Sequence, residues 1–155
     1  MRALILLSAL VAGCGGSALE VGSTLEGELT TDDPAFHPGQ PSDEIPARLE
    51  VGEPVVVLVT STAFAPFVIV TSPEAPMGVS ASDETGAGAC LTLEAPMSPD
   101  VRIYVSGLEV GDLGPYRVSL EPYSDVLAQA HGCGVLEDGV ETLTASSTTR
   151  GTAAG

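Results

Sequence analysis

Residues 55–60 read VVVLVT and residues 67–71 read FVIVT, each bounded by chain-bending residues: Gly52-Glu53-Pro54 before the first and Ser72-Pro73 after the second. Runs this short, this rich in β-branched side chains and this continuously apolar fit strands covered on both faces better than helices, which need ten or more residues. Working outward, the period is two. CLTLE (90–94), VRIYVSGL (101–108) and YRVSLE (116–121) follow, with Gly111, Gly114 and Pro115 turning the chain between the last two. On the other side, Leu25, Gly27 and Leu29 alternate with Glu26 and Glu28, and Ile45–Val51 alternates around Pro46, which marks an edge or irregular strand. Thr31–Ser42, with three prolines, and the acidic stretch Ser80–Gly88 read as loops. Before Ser124 no segment shows an amphipathic helix. The pattern predicts an all-β fold, an antiparallel β-sandwich or jelly-roll-like single domain over residues 24–123. Its core should hold Leu29, Val55, Val57, Val59, Phe67, Ile69, Leu91, Leu93, Ile103, Val105, Tyr116, Val118 and Leu120, with Arg102, Arg117 and Ser119 outward. Residues 124–141 form an extension in which 125–130 is one helical turn or a last strand. The Ser/Thr/Ala/Gly-rich residues 142–155 should be disordered.

The chain has 155 residues, with five Arg and no Lys against 21 Asp and Glu, a formal charge of −16. That balance excludes nucleic acid as an ordinary partner, because phosphate binding needs basic patches. The absence of lysine removes Schiff-base chemistry and any P-loop. No Trp is present, so a sugar-stacking surface has little to build on.

Met1-Arg2 is followed by an apolar run to Gly13 and then Cys14. One positive charge, a short apolar stretch and small residues make a secretory leader over residues 1–13, too short to span a bilayer. Val11-Ala12-Gly13-Cys14 resembles a bacterial lipobox. The resemblance implies acylation of Cys14, cleavage before it, a tether over residues 14–23 and a membrane partner reached through the lipid anchor. Gly15, where an inner-membrane retention signal would carry Asp, favours an outer-membrane lipoprotein in the bacterial envelope. Cleavage removes Arg2 and no acid, so the mature surface is more negative still and repels anionic headgroups.

With Cys14 lipidated, Cys90 and Cys133 are an even pair in an oxidising compartment. A disulfide between them is expected. Two free thiols, or a metal site of Cys90, His131 and Cys133, remain the alternatives.

Several pieces in order resemble the bacterial pre-peptidase C-terminal domain, a small β-sandwich. They are Gly27-Glu28-Leu29 with the acidic loop at Asp32 and Asp33, the Gly52-Glu53 turn into the valine-rich strand, Ser61–Phe64–Pro66–Phe67, the Ser72-Pro73 turn, Tyr104-Val105, and Gly114-Pro115-Tyr116-Arg117-Val118. The likeness covers about residues 20–121. It departs at Asp43-Glu44-Ile45-Pro46 and at Ala65. Members are mostly accessory domains of secreted peptidases or free-standing exported modules, so it implies a non-catalytic role.

The residues agree, since no G-x-S-x-G, H-E-x-x-H or phosphate loop occurs. His37 sits in a Pro/Gly loop and reads as solvated. Phe64, Phe67, Tyr104 and Tyr116 read as core rather than as a ligand platform. The acidic pairs fall in loops, where calcium is the plausible ligand, and Asp32, Asp33, Asp43 and Glu44 are the candidate set; the plainer alternative is a solvated acidic surface. The expected function is a non-catalytic, lipid-anchored envelope protein whose sandwich serves as a binding, adhesion or accessory module for an envelope protein or extracellular ligand. The alternative is a structural or assembly lipoprotein docking an envelope partner by a sheet edge.

Overall fold

The computed structural model describes residues 17–73, 75–83, 88–96, 98–133 and 145–146. The expected leader, Cys14, residues 134–141 of the expected extension, and the tail apart from residues 145–146, lie outside them. In chain order the elements are β1 (Leu19–Glu20), β2 (Ser23–Leu29), β3 (Ala35–His37), β4 (Gln40–Arg48), β5 (Val55–Thr60), β6 (Pro66–Ser72), β7 (Ala75–Ser82), β8 (Ala89–Leu93), β9 (Asp100–Gly107), β10 (Gly114–Pro122), α1 (Asp125–Ala130) and β11 (Ala145–Ser146). They build two sheets. One runs β1-β4-β9-β6-β7, with β3 hairpinned onto β4; the other runs β11-β8-β5-β10-β2. Among the described residues the strand pairs are antiparallel except β1 with β4. The all-β sandwich read from the sequence is the fold.

The run VVVLVT owes its continuity to its place. β5 is the middle strand of its sheet, between β8 and β10. Val55, Val57 and Val59 face the other sheet and pack with Leu91, Leu93, Val118 and Leu120 from their neighbours, all buried. Val56 points the opposite way and is also fully buried, because α1 covers it. This outer cluster joins Val56, Cys90, Ala128 and Cys133, with Leu58, Tyr123 and Leu127 against it. Cys90 and Cys133 are bonded, with Cα atoms 5.4 Å apart, so the thiolates of the alternative metal set are spent. Ser124 caps α1, its Oγ accepting from Leu127 N at 3.1 Å. Of the two readings for 125–130, the helix holds, and the bridge holds that helix on the sheet.

Eleven of the thirteen expected core residues are buried, and Arg102 and Arg117 are exposed as expected, with Ser119 half-buried. The exceptions are Phe67 and Ile69, which are half-buried on the outer face of their sheet, while Pro66, Val68 and Val70 face inward. An apolar run has no phase of its own, and pairing with β9 sets this one: Val68 lies beside Val105 and Val70 beside Ile103, both inward. Tyr104 shares the outer face with Ile69, its pair on β6, whereas Phe64 and Tyr116 are core.

The expected loop Thr31–Ser42 contains β3 and the first residues of β4, tied down where Ser42 N donates to Pro34 O and Ser106 Oγ donates to Pro41 O. The expected loop from Ser80 begins inside β7, which pairs with β6 as far as Ser82. In the expected tether, Leu19 is buried and pairs with Ala47. In the expected disordered tail, Ala145 and Ser146 pair with Leu93 and Thr92 of β8.

Candidate functional site

The registers give the sandwich two unlike ends. At one, the chain enters through β1 beside Ala47 and Arg48, and Gly22 N donates to Leu120 O. At the other, Leu29 pairs with Gly114 and Ser42 with Ser106. β9 spans the distance in eight residues, about 25 Å at ~3.3 Å per residue. The far end collects the connections 30–34, 38–39, 61–65 and 108–113.

Three of these loops are each held by a side chain suited to it. Ser61 Oγ donates to Pro115 O at 2.7 Å and accepts from Ala63 N at 3.0 Å and Phe64 N at 3.2 Å, tying loop 61–65 to the start of β10. Asp33 Oδ2 accepts from Thr30 N at 2.6 Å and Thr30 Oγ1 at 3.2 Å, closing loop 30–34. In loop 108–113, Asp112 Oδ2 accepts from Glu109 N at 2.9 Å. Leu108 N donates to Ala65 O and Gly111 N to Gly39 O, each at 2.8 Å. Gly111 turns at φ +89°, a conformation that favours glycine. The loop is therefore bonded to two neighbours, yet it leaves Leu108, Val110 and Leu113 at 42%, 72% and 39% exposure.

Beneath these loops one polar link joins the sheets. Tyr116 on β10 lies over Gly27 of β2, its register partner, where any Cβ would overlap the phenol ring. Its hydroxyl donates to Asp43 Oδ2 of β4 at 2.6 Å. Burial, then the bond to Asp43 and the charges of Asp43 and Asp33, push the phenol far above its ordinary value, so it is a fixed donor and not a base. Burial also pushes the Asp43 carboxyl up; the Tyr116 bond works against this, and the neighbouring Asp33 adds to it.

The four acids of the calcium set do not converge. Asp43 and Glu44 are successive on a strand and point to opposite faces: Asp43 inward to Tyr116, Glu44 outward to Arg102. Asp33 stands near Asp43, while Asp32 is exposed, its N–H on Thr30 Oγ1. Among the described residues no three His, Cys, Asp or Glu side chains gather as a metal site. His37 is exposed on β3, and His131 ends α1. A shallow recess of about 460 Å³ lies beside the loop end, lined by Glu26, Thr60, Ser61, Thr62 and Arg117 over Gly27 and Tyr116. Another of about 490 Å³ lies toward the entry end, between Ala18, Pro46, Pro73 and Arg102. Among the described residues no helix is long and apolar enough to cross a membrane.

Sequence reasoning missed the apolar loop 108–113 and the Tyr116–Asp43 link. The signal for the first was available: Val110 and Leu113 are large apolar residues inside a Gly/Pro turn, where a buried role is out of reach. The link joins residues 73 positions apart, and no local pattern announces it. No protein-family model matches the chain, and no curated protein matches it.

Proposed function

We propose that this chain is a lipid-anchored envelope protein, held by an acylated Cys14, whose sandwich is a non-catalytic binding module that makes its contact through its loop end. The observation that carries the reading is the exposed apolar loop. Leu108, Val110 and Leu113 are exposed about 25 Å from the end where β1 pairs with Ala47 and Arg48. Exposed apolar residues on a loop held by its neighbours mark a contact surface. The lipobox-like Val11–Cys14, Gly15 after it, and the ordered likeness to the pre-peptidase C-terminal domain support an exported module at the outer membrane.

Two measurements test this. Cys14→Ser should abolish palmitate labelling and move the protein to the soluble fraction; unchanged fractionation defeats the anchor. A photo-crosslinking residue at Val110, at the loop end, should give a discrete adduct in intact cells, and one at Val51, exposed in the turn at the entry end, should not. Adducts from position 51 alone would give the contact to the opposite end of the sandwich.

A further inference from the structure

The loop end is apolar at its tip and acidic around it. Glu109 and Asp112 stand within loop 108–113, and Asp32 and Asp33 in loop 30–34 at the same end. No arginine lies in these loops: Arg48 pairs with Asp100 and Arg102 with Glu44 on the β4–β9 face, and Arg117 pairs with Glu26 on the opposite sheet. The tip is also pre-shaped. Leu108 N, Glu109 N and Gly111 N are all bonded within the loop or to neighbouring loops, and the Asp112 side chain fills the space a Cβ on Gly107 would need. A loop already ordered loses little freedom on docking, so its apolar side chains contribute to affinity at low entropic cost.

The charge selects the partner. A chain of −16 repels anionic headgroups and a second copy of itself, and an acid-rimmed tip repels both most strongly. Resting on the reading of the loop end as the binding end, we infer that Leu108, Val110 and Leu113 dock into an apolar protein surface rimmed by Lys and Arg. The apolar contact sets the lifetime of the complex, and the acids around it steer the approach and reject acidic surfaces.

A short amphipathic Leu/Lys helical peptide serves as the probe, with a scrambled isomer of equal charge that forms no apolar face as its control. Amide shifts on titration should concentrate at residues 107–114 and 30–33. Val110→Ser, at a position exposed enough not to disturb folding, should weaken binding several-fold. Adding Leu108→Ser and Leu113→Ser should weaken it about tenfold or more. Raising salt from about 50 to about 300 mM should slow association and leave dissociation nearly unchanged. Shifts spread evenly over the acidic surface, or equal binding of the scrambled peptide, overturn the proposal. So does Val110-dependent sedimentation with vesicles of phosphatidylethanolamine and phosphatidylglycerol, which would give the tip to lipid. Val110-dependent self-association in the ultracentrifuge would give it to a second copy. A Val110 adduct in cells with a partner whose contact surface is acidic keeps the binding end and defeats only its chemistry.

Discussion

Replacing both bridge cysteines, Cys90→Ala with Cys133→Ala, tests how far the C-terminal segment belongs to the domain. The bridge spans 43 positions, and a loop of that length removes about 4 kcal/mol of chain entropy from the unfolded state. The loop encloses β8, β9 and β10, which supply strands to both sheets. The loss therefore falls on the whole domain if it unfolds in one step. For a domain of this size, about 4 °C of Tm per kcal/mol gives a fall of about 15 °C. A second effect is local. α1 has six residues, too few to hold itself, and without the bridge it relies on the cap at Ser124, the bond from the Tyr123 hydroxyl to Asp125 and the packing of Leu127 and Ala128 on Val56. Amides from 127 to 133 should then exchange well before those of β5. Calorimetry of the variant and of the parent without reductant measures the first effect, and hydrogen exchange the second. A fall below about 5 °C with helix amides still protected would refute the reasoning, since packing alone would then hold the segment.

The phase of β6 gives an asymmetric pair: Val68→Asp should cost about 3 kcal/mol or more by burying a charge, and Ile69→Asp under about 1 kcal/mol, by urea unfolding. Gly27→Ala should cost about 1–3 kcal/mol, because the added Cβ meets the Tyr116 ring from backbone that cannot retreat; an unchanged midpoint would mean the ring can move aside. Asp43 titrates above its ordinary value in the fold, so its contribution is fully present below about pH 3.9 and is lost as pH rises through the raised folded value. Asp43→Asn, which keeps an acceptor for Tyr116, should therefore be more stable than the parent at pH 7, with the difference shrinking toward pH 4. A constant difference across that range would show that ionisation of Asp43 is not the cause.

The sandwich was legible because alternation is a local signal: Val101, Ile103 and Val105, or Tyr116, Val118 and Leu120, declare a buried face without knowledge of the partner strand. Where alternation is absent, information ran out. FVIVT carries apolar residues on both faces, and only the register with β9 turns Val68 inward. Residues 35–37 and 40–44 lack a hydrophobic stripe altogether; they are strands because β9 offers β4 a ladder and Pro41 O and Ser42 N find partners. Cys90 with Cys133 could be expected as a pair once Cys14 was set aside, with free thiols or a metal site as alternatives that only the bridge in the fold removes. Asp33 beside Asp43 could not, since the acids compete with equal claims and only the fold selects two of them.

The placement of the bridge also bears on how the chain is made. Cys133 follows β1 to β10, so during synthesis its thiol emerges after all of them, and only then can the stitch to β8 close. A product that stops before α1 leaves Cys90 a reduced thiol beside a bare Val56 on the sheet face that α1 would have covered. Extension of the polypeptide as far as residue 133 is thereby written on the surface of the folded protein, as the absence of an accessible thiol.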